Sequence, residues 1–274
     1  MTDTSLPVLG VAMPIATLAE HRDWLIADQR AVEIQDACLE GTFDADPSPL
    51  ARQARDLLDG HTGPRGLHAP FDGIYLLSKD KKVRALATER LCQGLTFGAE
   101  FGATHMVVHS PFMFFGSPFV PHSRAFDQEA QIELAHLTLD PVLSLAKEIG
   151  CMLVIEGIQD KHPGPLLALV RSFESDLVRM SLDIGHAMIT NRLGGPPPDQ
   201  WVREAGPLLG HLHLQDSDGN IDRHWAPGRG QMPWYALFEA LGSLKHQPRL
   251  ILEIKQKSEL RQGAQWLQDQ GYVR

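Results

Sequence analysis

The chain has 274 residues, 43% hydrophobic and 22% charged, an ordinary globular composition with length enough to bury a sizeable core. Its formal net charge is −9, with no block of lysines and arginines, so the overall field disfavours a nucleic-acid partner. Cys38, Cys92 and Cys151 lie far apart without CxxC spacing and read as reduced core residues rather than a disulfide framework, which fits a reducing cytosol. The start, MTDTSLPVLGVAMPIA, lacks the basic segment of a signal peptide, and no apolar stretch approaches the roughly 18 to 20 residues of a membrane span. The expectation is a soluble, cytoplasmic protein with no membrane partner.

In chain order, short apolar, branched runs predict eight strands: VLGVAM (8–13), AVEIQD (31–36), RGLHAPF (65–71), THMVVHS (104–110), CMLVIEG (151–157), RMSLDIG (179–185), HLHLQDS (211–217) and RLILEIK (249–255). Between them lie amphipathic helical segments. In 81–101, Val83, Ala87, Leu91 and Leu95 recur at i+4 intervals; in 128–147, Ile132, Ala135, Leu139, Leu143 and Ala146 share one face. Pro141 is expected to kink or divide the second of these. Strand and helix alternating through the chain, without a Ser/Gly-rich linker or low-complexity tract, predict an α/β fold, a single (β/α)8 TIM barrel domain over 1–274. An open doubly wound sheet is the competing fold, but its GxGxxG turn after the first strand is missing.

In such a barrel the C-terminal strand ends carry the active site. Polar residues close six successive predicted strands: His68, His109, Glu156, Asp183, His213 with Asp216 beyond it, and Glu253. An isolated histidine there is commonly a hydrogen-bonded structural residue. Buried carboxylates are harder to accommodate, since an unpaired buried charge costs several kcal/mol. Lys255 is the one cationic residue at a strand end, too little for so many acids. A divalent metal satisfies Glu156, Asp183 and Glu253 together, with His213 supplying a neutral imidazole; that donor set suits Mn²⁺, Mg²⁺, Co²⁺ or Zn²⁺. Asp183 and His186 can face one pocket across a strand-to-helix turn eased by Gly185. Asp222 and His224, alternate residues of DRH, share one side of an extended segment, and PGRG follows, a turn that folds the backbone over the site. Trp225, beside His224, is a candidate pocket wall. His211 lies one layer deeper than His213 and reads as a packed barrel-core histidine.

The segments LHAPF, VVHSPF, VIEG, LDIGH, HLHLQDSDGNIDRHWAPGRG and LILEI, in this order, resemble the xylose isomerase-like TIM-barrel superfamily, which includes sugar isomerases and epimerases, inosose dehydratases and the endonuclease IV group. The likeness spans nearly the whole chain. It implies a mononuclear metal site at Glu156, Asp183, His213 and Glu253, the same four residues that the charge argument reaches.

Fold does not fix the reaction. The leading expectation is a metal-dependent isomerase or epimerase for a sugar or sugar-like polyol, working through an enediolate, with Glu156 and Glu253 as acid and base and one divalent ion as cofactor. His68, His109, His186, Asp222, His224 and Trp225 then bind substrate. Ketose 3-epimerases are expected to carry an asparagine–arginine pair after the strand-five glutamate and an arginine after the strand-seven histidine. This chain has IQDKH at 158–162 and Gly219 instead, which sets it apart from that activity.

The alternative is an endonuclease IV-like phosphodiesterase with three zinc ions acting at abasic DNA. The resemblance supplies all nine corresponding ligands: His68, His109, Glu156, Asp183, His186, His213, Asp222, His224 and Glu253. Against it stand the −9 charge, the lack of basic DNA-gripping loops, and EGIQD where an ENTAG-like run is expected. The loop 111–126, with five phenylalanines, is expected to serve as a lid over the barrel mouth or as a contact in a homo-oligomer.

Overall fold

Each apolar run becomes a strand: β1 (Gly10–Met13), β2 (Val32–Ile34), β3 (Arg65–His68), β4 (His105–His109), β5 (Met152–Gly157), β6 (Val178–Asp183), β7 (Leu209–Leu214) and β8 (Arg249–Leu252). The computed structural model describes residues 6–112 and 127–274, so most of the aromatic loop, 113–126, lies outside the described residues. The strands pair in parallel in chain order, and β1 returns to β8 through Gly10↔Ile251 and Val11↔Leu252. That closure makes a (β/α)8 barrel and rules out the open doubly wound sheet.

Around the strands run α1 (Ile15–Ala27), α2 (Ser48–Leu57), α3 (Lys81–Glu100), α4 (Gln128–Ile149), α5 (Gly164–Ser172), α6 (Ile184–Arg192), α7 (Pro198–Ala205), α8 (Trp234–Gly242) and α9 (Leu260–Asp269). Helix α3 begins where the Asp80 carboxylate accepts the Lys82 N–H at 2.8 Å, satisfying a donor that has no partner inside the helix. In the same way α4 begins at Asp127, which accepts from the Ala130 N–H at 3.1 Å, and it ends at Gly150, whose φ of 77° suits a residue without a side chain. Pro141 does not divide α4: one α-helix runs through it.

Alternation sorts each strand into two faces. Outward residues such as Met106, Val108, Leu153, Ile155, Leu212 and Leu252 join the large apolar core beneath the helices. Inside the barrel the apolar cluster is small, Ala12, Ala31 and Ile251, and the space beside it is taken by buried polar groups: Glu33, His105, Ser181 and His211. Gly66 makes room for one of them, because a β-carbon there would fall inside the His105 ring. The three cysteines are free; Cys151 is buried, while Cys38 and Cys92 are only partly so. Among the described residues, no helix is long and apolar enough to cross a membrane.

Candidate functional site

At the C-terminal end of the barrel, Glu156 of β5, Asp183 of β6, His213 of β7 and Glu253 just past β8 each place one ligand atom within 4.8 Å of the others. All four are buried. Strand register puts them there: Asp183 lies opposite His213, and His109 of β4 lies opposite Glu156. The His213 Nδ1 is 2.6 Å from Glu156 Oε1 and 3.2 Å from Glu253 Oε2, so the two glutamates flank one imidazole edge. Among the described residues the ion-pair partners of Glu156, Asp183 and Glu253 are histidines, with no lysine or arginine in the set.

Two further groups adjoin this one. His68 and His109 meet Glu156, with His68 Nε2 and His109 Nε2 at 3.5 and 3.6 Å from its Oε2 and 3.2 Å from each other. On the opposite flank Asp183, His186 and His224 converge, and Asp222 Oδ2 bridges the two imidazoles at 3.4 and 3.0 Å. Glu156 and Asp183 thus each belong to two groups.

The electrostatics follow from burial of so many charges. Burial pushes Glu156 up, but His213 and the hydrogen bonds from His213 and His68 outweigh it and hold the carboxyl well below the usual carboxylate range. Burial raises Asp183. For His186, burial favours the neutral ring, yet Asp183 and Asp222 prevail and lift it to about 10. His109 drops to about 3, because burial and the neighbouring His68 both oppose a charge on it.

The sequence-predicted residues sort as follows. Glu156, Asp183, His213 and Glu253 come together as one group, and His68, His109, His186, Asp222 and His224 form its two flanks. Trp225 is half-buried; its main chain pairs with Asp216 and its ring lies under the Arg223 guanidinium, 4.9 Å away. Asp216 is a loop anchor: its carboxylate accepts from the N–H groups of Ser217, Gly228 and Met232 and from Trp234 Nε1 at 2.8–3.3 Å. Gly185 eases no turn, since α6 starts directly at Ile184; a β-carbon at Gly185 would collide with the Gln215 side chain. His211 is buried in the barrel interior, as its sequence position implies.

Several residues of the site escaped the sequence reading. Lys255 is exposed, whereas Lys257 folds back to donate to the Ala12 carbonyl at 3.0 Å and is close enough to Glu253 and Glu33 to feel their charge. Gln35 Nε2 donates to Glu253 Oε1 at 2.6 Å, and Gln215 Nε2 reaches Asp183 and Asp222. Glu33 accepts from His213, His211 and His105; burial pushes its carboxyl up, but the charge of His213 and the three hydrogen bonds hold it well below the usual range. The charged residue inside the AVEIQD run was a signal of the same kind as Glu156 in VIEG.

Comparison with known proteins agrees with this architecture. A Thermus thermophilus protein, in a structure obtained by soaking with ZnCl2, is 27% identical with a TM-score of 0.69, over 96% of this chain and 98% of its own. The 3-keto-D-glucoside 4-epimerase of E. coli, in its apo form, has a TM-score of 0.72 over 96% of this chain and 99% of its own; at 17% identity that likeness concerns the fold alone. A D-psicose 3-epimerase of Agrobacterium fabrum is 26% identical over 140 residues, 49% of this chain and 45% of its own length. The family described as xylose isomerase-like TIM barrel matches residues 28–270, nearly all of the closed barrel and every residue of the group at its mouth. The chain belongs to the xylose isomerase-like TIM barrel family.

Proposed function

We propose that the protein is an isomerase or epimerase of a sugar or sugar-like polyol, acting with one divalent metal ion held by Glu156, Asp183, His213 and Glu253. The observation that carries this reading is the set of three buried carboxylates and one imidazole with ligand atoms within 4.8 Å and no lysine or arginine among their ion-pair partners in the described residues. Such a donor set fits a divalent cation, which offsets the charge that burial makes costly. Bound there, the ion supplies Lewis-acid polarisation of a carbonyl and its neighbouring hydroxyl. The chain's own groups handle the protons. Glu156 and Glu253 lie on two sides of the His213 edge, placed to remove a proton from the carbon beside the carbonyl, giving an enediolate, and to return one. His186 and His224, oriented by Asp222, are placed to hydrogen-bond substrate hydroxyls, as are His68 and His109 on the opposite flank. The D-psicose 3-epimerase among the similar proteins supports the same substrate class.

The test joins elemental analysis to isotope exchange. About one tightly held divalent ion per chain is expected, with turnover of a ketose in D₂O placing deuterium at the affected carbon. A chain that takes up no metal after growth in supplemented medium would remove the reading.

One observation favours a second reading, a trinuclear zinc phosphodiesterase of the endonuclease IV kind. The His68–His109–Glu156 and Asp183–His186–His224 groups share corners with the central group, as three adjacent ions would require, and the similar Thermus protein was soaked with zinc. Net charge −9 weighs against a DNA substrate. About three zincs per chain together with efficient incision of abasic DNA would reverse the order of the two readings.

A further inference from the structure

Beneath the proposed ligand group, Glu33 of β2 and Gln35 just past its end lie one strand period apart, and each reaches a proposed ligand from elsewhere in the barrel. Gln35 reaches Glu253. Glu33, fully buried, meets three imidazoles: His213 Nε2 at 2.8 Å on Oε1, and His211 Nε2 at 3.1 Å and His105 Nε2 at 3.2 Å on Oε2. A carboxylate can only accept, so each ring nitrogen facing it carries the proton. By the same rule Nδ1 of His213, which lies against Glu156 and Glu253, carries a proton here too; a cation held by those two glutamates would take that proton's place, while the Nε2 proton stays committed to Glu33. With a cation at Nδ1, the reverse arrangement would set an Nε2 lone pair against the fully buried Glu33 carboxylate.

The layer below holds Glu33 in place. His211 Nδ1 is 2.8 Å from Ser181 Oγ, and the missing side chain at Gly66 leaves the space that the His105 ring fills. Glu33, His211 and His213 also satisfy the spacing of an ion site by themselves. Their facing atoms already saturate one another, however, and all three residues are fully buried, so the arrangement serves hydrogen bonding rather than a second ion.

We infer that Glu33 is a positioning residue of the metal site, fixing the His213 ring with Nε2 protonated and Nδ1 presented to the ion. This rests on the metal reading above. It predicts that Glu33→Ala weakens Co²⁺ binding by about 10- to 100-fold, the usual range for loss of a carboxylate behind a ligating histidine. Glu33→Gln, nearly isosteric, should weaken it by about 10-fold, because one amide oxygen replaces two carboxylate oxygens that accept from three N–H groups.

The experiment is a Co²⁺ titration of the full chain against a competing chelator, followed by the visible absorption of the bound ion, with the His213 Nε2–H proton read by NMR in the Zn²⁺-loaded protein. Wild type should show a downfield, exchange-protected proton that moves upfield in Glu33→Gln, while circular dichroism stays native. Where Glu33→Ala fails to fold, Glu33→Gln carries the comparison. A Glu33→Gln protein that loses thermal stability but keeps wild-type Co²⁺ affinity and an unmoved Nε2–H resonance overturns the inference, leaving Glu33 as filling for the barrel. A wild-type chain that takes up no Co²⁺ overturns the metal reading along with it.

Discussion

Gln215 Nε2 donates to both carboxylate oxygens of Asp183, at 3.0 Å each, and Gly185 lacks the β-carbon that would occupy the same space. The glycine is therefore paired with the glutamine, although it sits inside a helix where alanine is intrinsically better by about 1 kcal/mol. Gly185→Ala should push the amide off Asp183. Overpacking of about 1–3 kcal/mol offsets the helical gain, so thermal unfolding should shift little while metal affinity falls several-fold. Calorimetry beside a metal titration checks this; unchanged affinity would show that Asp183 does not need its amide partner.

Replacing the two flanking glutamates separates binding from chemistry. Glu156→Gln and Glu253→Gln should each lower turnover by about 10² or more, in line with a positioned acid or base. Because both are also proposed ligands, the comparison belongs to preparations whose metal content matches wild type. A metal-loaded double variant with wild-type turnover would leave the glutamates with no proton-transfer role.

Asp160 gives a pH signature. It is buried beside Ser110, whose hydroxyl donates to it at 2.9 Å, and burial lifts its carboxyl to about 7 from an ordinary value near 3.8. A carboxyl raised in the folded state binds more protons there than in the unfolded chain. Its contribution is complete below pH 3.8 and is lost as pH rises through about 7. Asp160→Asn should thus gain stability on wild type between about pH 4 and pH 8, by at most a few kcal/mol, read as a rising difference in thermal midpoint. Parallel melting curves across that range would count against a protonated Asp160.

Asp216 ties down the loop that carries Asp222 and His224. Asp216→Ala removes the acceptor of four hydrogen bonds and should cost at least about 2 kcal/mol. Turnover should fall with KM raised, while metal content stays near wild type, since no central ligand lies on that loop. Loss of the metal instead would mean that the loop supports the ligands directly.

How far the sequence spoke depended on the kind of signal. Period-two runs and i+4 helical faces are local, so the eight strands and helices such as 81–100 were legible, and with them the ligand-bearing strand ends. Which inward residues meet across the barrel depends on the stagger between strands, set only by closure. Glu33 therefore read as one residue of an ordinary strand, although its partners His105, His211 and His213 stand on β4 and β7. Gln35 and Gln215 carry no charge to draw attention, and their role appears only once Glu253 and Asp183 are seen beside them. Asp216, two residues past β7, was given no role from the sequence, and its carboxylate turns to its own loop.

On the proposed metal reading, shared corners would favour an order of filling. Because Glu156 and Asp183 each belong to the central group and one flank, an ion on either flank would draw on a residue that the proposed central ion uses, whereas the flanks take neither His213 nor Glu253. A graded metal titration should then begin at the middle and spread outward. On the proposed metal reading the number of ions would then be a property of the rim imidazoles, so the same barrel could change its stoichiometry by altering His68, His109, His186 or His224 while its central four residues stay as they are.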